Sequence, residues 1–237
     1  MQMDNIKKVM TDMGIPESMY KVSMFSHPKI EEKYGEINLV QMPLKNPSGT
    51  DLFVIPGYSF RSFTSMFGKM KEGMKYFESK YRNLYMINFG DKVKKDTTTM
   101  LSEGMTEEES YVKQDLYRED LAKTLDKCIR NPELNLTNFT LVGKSAGGGV
   151  SIFLAGMNKE VKKLLLCCPG ITNRGTPLAA RPELEIHMGW NIDDDTVEYN
   201  INKEIIEQLT KQGNTVKFHG YQKGGHEINI LFIEDVL

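Results

Sequence analysis

The stretch that decides the fold is Phe139–Gly149, which reads FTLVGKSAGGG and places a Gly-x-Ser-x-Gly pentapeptide directly after an apolar run. The run Phe139–Val142 predicts a buried strand, and the apolar residues that follow Gly149 predict a buried helix. A serine between a strand and a helix is typical of a nucleophile elbow, where a sharp turn lifts the hydroxyl out of the sheet. Only small neighbours permit that turn, and Gly143 and Gly147 meet this requirement.

A second motif overlaps the first and indicates different chemistry. Gly143-Lys144-Ser145 resembles the end of a phosphate-binding P-loop, which requires a glycine five residues before the glycine of its Gly-Lys pair. Asn138 occupies that position, so the sequence disfavours a nucleotide-binding loop. Lys144 is assigned no role, because its side chain is expected to point away from the site.

Composition limits the classes of function. The 237 residues are predicted to form a single α/β domain, and a net charge of -2 gives no electrostatic reason to expect nucleic acid or an anionic membrane as a partner. No run is long enough to span a membrane, and the first residues do not resemble a secretory signal. Cys128, Cys167 and Cys168 lack the spacing of a metal site and fit a reducing cytosol, so we expect a cytoplasmic protein without a metal or cofactor.

From Asp51 onward, short aliphatic runs alternate with helical periodicity, which predicts a mostly parallel sheet covered by helices. The predicted strands are Leu52–Ile55, Leu84–Phe89, Phe139–Val142, Val161–Cys168, Leu184–Met188 and Thr215–Tyr221. The predicted helices are Phe63–Tyr81, a segment that a Thr106-x-x-Glu109 capping box opens and that continues to Ile129, and Lys203–Gln212.

Two regions are harder to assign. Within residues 1–50, Asn5–Met13 is predicted to form an added helix, and Gly35–Leu44 one or two antiparallel strands at the sheet edge. The segment Asp91–Met105 is polar, rich in threonine and without periodicity, which indicates either a plain surface loop or a mobile flap near the site. The plain loop is the simpler interpretation.

A nucleophilic Ser145 requires a base, and the base requires an acid that orients it. His27 precedes the predicted sheet, and His187 and His219 fall inside predicted strands. His226 alone lies in a glycine-flanked loop after the last strand, where a catalytic base is expected in hydrolases of this kind.

The acid is expected in the loop after strand Leu184–Met188, because the loop that follows the preceding strand contains no Asp or Glu before Pro182. Three candidates stand together there, Asp193, Asp194 and Asp195. Asp194 is preferred, because the spacing Asp-x-x-Val lets Val197 anchor the loop, but all three remain open.

The tetrahedral intermediate of acyl transfer needs two N–H donors for its oxyanion. Ala146 follows the nucleophile at a helix N-terminus and is expected to supply one. The second is assigned to Tyr58, in the turn Pro56-Gly57-Tyr58-Ser59 after the first parallel strand.

Together these motifs resemble the α/β-hydrolase superfamily. The resemblance covers about Leu52–Leu237 through PGYS, GKSAGG, GWNIDDDTV and the terminal GGHE. It implies a three-layer fold with a mostly parallel central sheet flanked by helices, and hydrolysis through an acyl-serine intermediate. Two features depart from common patterns. The oxyanion turn lacks the His-Gly-Gly-Gly motif, and Pro169–Arg181 is too short for a cap domain, which predicts an open site.

The sequence leaves the substrate open. A small acyl ester or thioester is expected, with an amide still possible, and Phe60, Phe63, Met66 and Trp190 either line an acyl pocket or, more commonly for such residues, belong to the core. Two other functions compete with hydrolysis, a non-catalytic module that binds a ligand or protein in the same cleft and an acyltransferase with the same triad. The sequence gives no oligomeric state.

Overall fold

The computed structural model describes residues 2–25, 33–100, 104–170, 178 and 180–237. The segment that contains His27 lies outside these ranges, as does much of the connection predicted to be too short for a cap. Within them, no helix combines the length and the apolar character needed to cross a membrane.

The described residues form one eight-stranded sheet in the order β1-β2-β4-β3-β5-β6-β7-β8. Its strands are β1 (Lys21–Met24), β2 (Ile37–Pro43), β3 (Thr50–Ile55), β4 (Tyr81–Phe89), β5 (Phe139–Lys144), β6 (Val161–Cys167), β7 (Glu185–Asn191) and β8 (Val216–Tyr221). Strand β2 runs antiparallel to both β1 and β4. All remaining pairs are parallel, so β3, β5, β6, β7 and β8 end at the same edge. We call this the carboxyl edge.

Helices cover both faces of the sheet. They are α1 (Gln2–Asp12), α2 (Phe60–Glu72), α3 (Met74–Phe77), α4 (Asp91–Met100), α5 (Glu107–Ile129), α6 (Ala146–Met157), α7 (Ile201–Lys211) and α8 (Ile230–Val236), with a 3-10 turn at Glu17–Met19. One apolar cluster joins the sheet to α1, α2, α3 and α8, and a second joins it to α5, α6 and α7. The predicted three-layer α/β fold is confirmed.

The core explains why these segments take their positions. Helix α2 buries Phe63, Met66, Phe67 and Met70 at helical spacing against the sheet. Burial of each such side chain contributes on the order of 1.5–3 kcal/mol. Phe63, Met66 and Trp190 are almost fully buried, so these three belong to the core rather than to an open acyl pocket, whereas Phe60 is half-buried.

Most of the predicted helices and strands are present, but their first and last residues differ from the predicted ones. Helix α5 begins with the predicted capping box, in which Thr106 accepts from the backbone N–H of Glu109 and the Glu109 carboxylate accepts from the N–H of Thr106. The predicted helix Phe63–Tyr81 is wrong beyond Phe77, because Gly73 ends α2 and Tyr81 already begins β4. A Cβ at Gly73 would lie 2.6 Å from Ile233 of α8, so glycine also allows the two helices to approach.

One prediction about an exposed segment was wrong. Residues 91–100 form α4 rather than a loop, with Asp91 in the first turn, where a carboxylate favours the helix dipole, and with Val93 buried. Gly35–Leu44 supplies one strand, β2, and its antiparallel partner β1 comes from Lys21–Met24. The predicted added helix at Asn5–Met13 is present as α1.

Candidate active site

Ser145 lies between β5 and α6 at the carboxyl edge. Its backbone has φ 53° and ψ -129°, which is a rare conformation for a residue with a side chain. Three hydrogen bonds hold it there, because its N–H donates to Cys167 O at 3.0 Å and its carbonyl accepts from Gly148 and Gly170 at 2.8 Å each. The strained backbone is therefore fixed from both sides.

The glycines of the pentapeptide are required by close approach. A Cβ at Gly143 would lie 2.3 Å from the Ser151 hydroxyl, and a Cβ at Gly147 would lie 2.3 Å from the carbonyl oxygens of Ile55 and Pro56. Since these distances are far inside van der Waals contact, no other residue fits either position without a backbone shift. The elbow is thus packed directly against the turn that follows β3.

That turn carries the predicted second oxyanion donor, Tyr58. The N–H of Gly57 is already bonded to the Ser62 hydroxyl at 3.0 Å. Among the described residues, nothing accepts a hydrogen bond from the N–H of Tyr58 or of Ala146. A Cβ at Gly57 would lie 3.7 Å from Ser145 Cβ, and one at Gly170 would lie 3.5 Å from Ala146 N, so both glycines keep this space open.

The Tyr58 ring holds the turn in place. It is 9% exposed and packs edge-on against Phe89 with a centroid distance of 5.4 Å. Burial raises the pKa of the Tyr58 phenol to about 12, so the side chain is neutral at physiological pH. The ring therefore supports the turn by packing rather than by charge.

The structure places Asp194 against His226. His226 Nδ1 lies 2.9 Å from Asp194 Oδ2 and 3.1 Å from Oδ1, with the carboxylate fully buried and the imidazole 19% exposed. The carboxylate also accepts from the N–H groups of Thr196 at 2.9 Å and Val197 at 3.0 Å. Burial alone would raise the pKa of Asp194, but the N–H groups of Val197, His226 and Thr196 hold it below its ordinary value.

The neighbouring acids have other contacts. Asp193 accepts from the N–H of Gly225 at 2.8 Å and so supports the His226 loop through its backbone. Asp195 is exposed and bonds the hydroxyl of Thr196 at 3.3 Å. Of the three candidates, only Asp194 is within hydrogen-bonding distance of His226.

Asn191 is a site residue that the sequence did not reveal. This last residue of β7 is buried and donates to the carbonyls of Gly225 at 2.8 Å and Glu227 at 2.7 Å, on either side of His226. It also accepts from Asn229 at 2.8 Å. The loop is therefore fixed from β7, and the only sequence signal was a polar residue at the end of an apolar strand.

Ser145 lies at the same carboxyl edge as this pair, at the end of β5, whereas His226 follows β8. Between the described residues, no hydrogen bond joins the Ser145 hydroxyl to His226. Serine–histidine hydrogen bonds are often long before substrate binds. The two other described histidines lie elsewhere, since His187 and His219 contact each other at 3.0 Å within β7 and β8.

One group of potential metal ligands overlaps the site. Among the described residues, ligand atoms of Cys168, Asp194 and His226 lie within 4.8 Å of one another. Burial raises the pKa of the Cys168 thiol to about 12, so it is protonated and a poor ligand, and the Asp194–His226 hydrogen bond already uses the other two groups. These residues fit an acid–base pair better than a metal centre.

Sequence comparisons identify no relatives: no protein-family model matches the chain, and no curated protein matches it. Solved structures do match over most of its length. A carboxylesterase from Bacillus cereus superposes with a TM-score of 0.60 at 15% identity over 88% of this chain and 94% of that one. A serine hydrolase without a lid from Xanthomonas campestris gives 0.56 at 13% identity over 90% and 87%.

A thermophilic esterase from the planctomycete Thermogutta terrifontis, solved with butyrate bound, gives a TM-score of 0.52 at 14% identity over 89% of this chain and 86% of that chain. At such low identity, these matches establish the architecture and not the activity. The mostly parallel sheet, its two helix layers and these matches together show the α/β-hydrolase fold, and the described residues contain no large cap domain.

Proposed function

We propose that this protein is a serine hydrolase that cleaves a carboxylic ester or thioester through an acyl-serine intermediate. The observation that carries the proposal is the Asp194–His226 hydrogen bond at the same sheet edge as the strained Ser145 elbow. A binding module would gain nothing from a buried carboxylate that orients a partly exposed imidazole at the same sheet edge as such a serine.

The acid–base pair fixes which imidazole nitrogen is free. Asp194 is ionised because its pKa is lowered, so its carboxylate accepts a hydrogen bond from His226 Nδ1–H. The neutral ring then carries its lone pair on Nε2, as general-base catalysis requires. Asp194 acts by holding this tautomer and by stabilising the imidazolium that forms.

The reaction follows from these positions. Ser145 Oγ attacks the acyl carbon while its proton passes to His226 Nε2, and the carbonyl oxygen becomes an oxyanion that the N–H groups of Ala146 and Tyr58 bind. Collapse of this intermediate breaks the bond to the leaving alcohol or thiol, which takes the proton from Nε2. Water, deprotonated by the same nitrogen, then attacks the acyl carbon. The bond to Ser145 Oγ breaks, Oγ takes the proton back from Nε2, and the carboxylic acid leaves.

A short acyl chain is the preferred substrate class. The esterase with bound butyrate shares the architecture over most of both chains. Phe63, Met66 and Trp190 are committed to the core, so they cannot form a deep channel for a long chain. We therefore expect p-nitrophenyl butyrate to be turned over.

The test is intact mass after treatment with a fluorophosphonate, in wild type and in Ser145→Ala. We expect stoichiometric labelling of the wild type, no labelling of the variant, and loss of p-nitrophenyl butyrate hydrolysis in a folded Ser145→Ala protein. A folded wild type that is neither labelled nor active would contradict the proposal and favour a binding module. Product analysis with added alcohols or amines would distinguish hydrolysis from acyl transfer.

A further inference from the structure

We propose that Lys144, Glu227 and Ser65 form a positioning cluster that fixes the His226 loop against the Ser145 elbow; this inference rests on the proposed function. Lys144 Nζ lies 2.7 Å from Glu227 Oε2. The Ser65 hydroxyl donates to the same oxygen at 2.5 Å. None of the three residues was assigned a role from the sequence, and Lys144 was expected to point away from the site. Below we call them the Lys144 cluster.

The cluster joins the immediate neighbours of the two reacting groups. Lys144 precedes Ser145 and Glu227 follows His226, although 83 residues separate Lys144 from Glu227 along the chain. Strands β6 and β7 lie between β5 and β8, so no backbone ladder connects the elbow to the histidine loop. The ion pair is a direct side-chain bond between these two segments.

Ser65 adds a third part of the site. It lies on α2, which begins two residues after Tyr58, and it is 162 residues from Glu227 along the chain. The elbow, the histidine loop and helix α2, which follows the oxyanion turn, therefore meet at one carboxylate oxygen. A shift in any of them changes the distance between nucleophile, base and oxyanion donors.

Burial makes the ion pair difficult to break. The Lys144 side chain is 3% exposed, and Glu227 is its only ion-pair partner among the described residues, whereas Glu227 is 41% exposed. An ammonium group in such surroundings needs its counter-charge. Burial would raise the pKa of Glu227, but hydrogen bonds from Lys144 and Ser65 and the charge of Lys144 lower it, so this carboxylate is ionised at neutral pH.

A role in stability alone predicts different behaviour from a role in positioning. A misplacement of reacting groups by about 1 Å can reduce turnover about 100-fold while substrate still binds. We therefore expect Glu227→Gln and Lys144→Met to lower kcat and the fluorophosphonate labelling rate about 100-fold, with KM changed less than about threefold. The double variant should be little worse than either single one, because both remove the same bond.

Asp51→Asn is the matched control. It removes a buried carboxylate that is bonded to Arg82 and Asn83 at the opposite edge of the sheet. All variants are compared well below their melting temperatures, with the folded fraction measured in each. An Asp51→Asn protein with wild-type kcat beside a slow Glu227→Gln protein supports positioning, and equal rates in the two would overturn it.

A second measurement does not depend on activity. Hydrogen exchange of the amides in residues 222–229 should be at least about tenfold faster in Glu227→Gln than in wild type and unchanged in Asp51→Asn. A wild type that is neither labelled nor active would refute the proposed hydrolase, and the exchange result would then decide on the cluster alone. Unchanged exchange in Glu227→Gln would refute the cluster while leaving the hydrolase intact.

Discussion

Two charged clusters, each built on one buried charge, lie at opposite edges of one sheet and differ in what they connect. The edge opposite the carboxyl edge, where the parallel strands begin, is called the amino edge below. There, Asp51 of β3 is fully buried and bonded to Arg82 and Asn83 at the start of β4. At the carboxyl edge, the Lys144 cluster connects segments that no strand pairing joins. The first cluster reinforces the β3–β4 ladder, whereas the second supplies a connection that the sheet lacks.

Under the proposed function, this difference predicts which cluster affects stability and which affects catalysis. Charges beside an existing backbone ladder should affect the free energy of unfolding more than catalysis. Charges that join loops at the carboxyl ends of strands should affect the relative positions of reacting groups, because loops have no ladder of their own. Four experiments test this contrast.

The largest effect is expected from Asp194→Asn at the carboxyl edge. The amide keeps the shape of the side chain but can donate to His226 Nδ1, which favours the wrong tautomer, so kcat should fall about 10³- to 10⁴-fold. Asp195→Asn is the control, because Asp195 is exposed and bonds only Thr196 among the described contacts, and its kcat should stay within about twofold. An active Asp194→Asn beside an inactive Asp193→Asn or Asp195→Asn would contradict the assignment.

Glycine substitutions compare the two edges directly. A Cβ at Gly147 would lie 2.3 Å from carbonyl oxygens of the oxyanion turn, and a Cβ at Gly49, near the amino edge, 2.4 Å from Lys80 O. Each change to alanine should lower the free energy of unfolding by about 3 kcal/mol, measured by urea denaturation. Only Gly147→Ala should also lose fluorophosphonate labelling of its folded fraction, and retention of full labelling would show that the elbow tolerates the shift.

Asp51→Asn should lower the free energy of unfolding by about 2 kcal/mol, because Arg82 and Asn83 lose a buried charged acceptor. Arg82 is half exposed and can be solvated, which limits the loss. Urea denaturation beside kcat measurements tests the prediction. A stable variant with reduced kcat would reverse the contrast between the two edges.

The smallest effect is expected for the pH dependence of stability, through His187 in β7 and His219 in β8. Burial lowers the pKa of His187, aided by Lys163 and His219 and opposed by Glu185, and burial likewise lowers the pKa of His219. Below the ordinary histidine value of about 6.5 the unfolded chain binds more protons than the native one, so stability is fully present above that pH and declines as pH falls through it. Urea denaturation at pH 7.5 and 5.5 should show this decline in wild type.

His187→Gln should show a smaller decline over the same interval, because one of the two buried histidines no longer titrates. Carboxylates with lowered pKa values, such as Asp194, stay ionised between these pH values and do not contribute. An equal decline in the two proteins would indicate that other groups account for it.

The parallel half of the sheet was predictable because each strand is a short apolar run bounded by turn residues. Strand β1 is only four residues long and has no buried residue, so it gives no such signal. Helix α4 is polar, and the contacts that stabilise it are made with α5 and β4. Local sequence patterns cannot report stabilisation that comes from a neighbouring element.

In the candidate site, too, local motifs predicted some residues, and long-range contacts define the others. Ser145, His226 and Asp194 could be proposed from the sequence because elbow chemistry requires a base and an acid in fixed order along the chain, and the structure brings Asp194 to His226. Lys144 and Asn191 were missed, because their partners lie 83 and 34 to 36 residues away and no motif encodes those pairings.

Helix α8 is the part of the molecule expected to undock first on heating. It begins shortly after Glu227, is only seven residues long, and depends on docking, with Phe232 packed against Gly189 and Lys163 bonded to Val236 O. Thermal inactivation should therefore begin as a local undocking that frees the histidine loop while the sheet is intact. On heating, catalytic rate would disappear several degrees before the circular dichroism of the helices and strands changes.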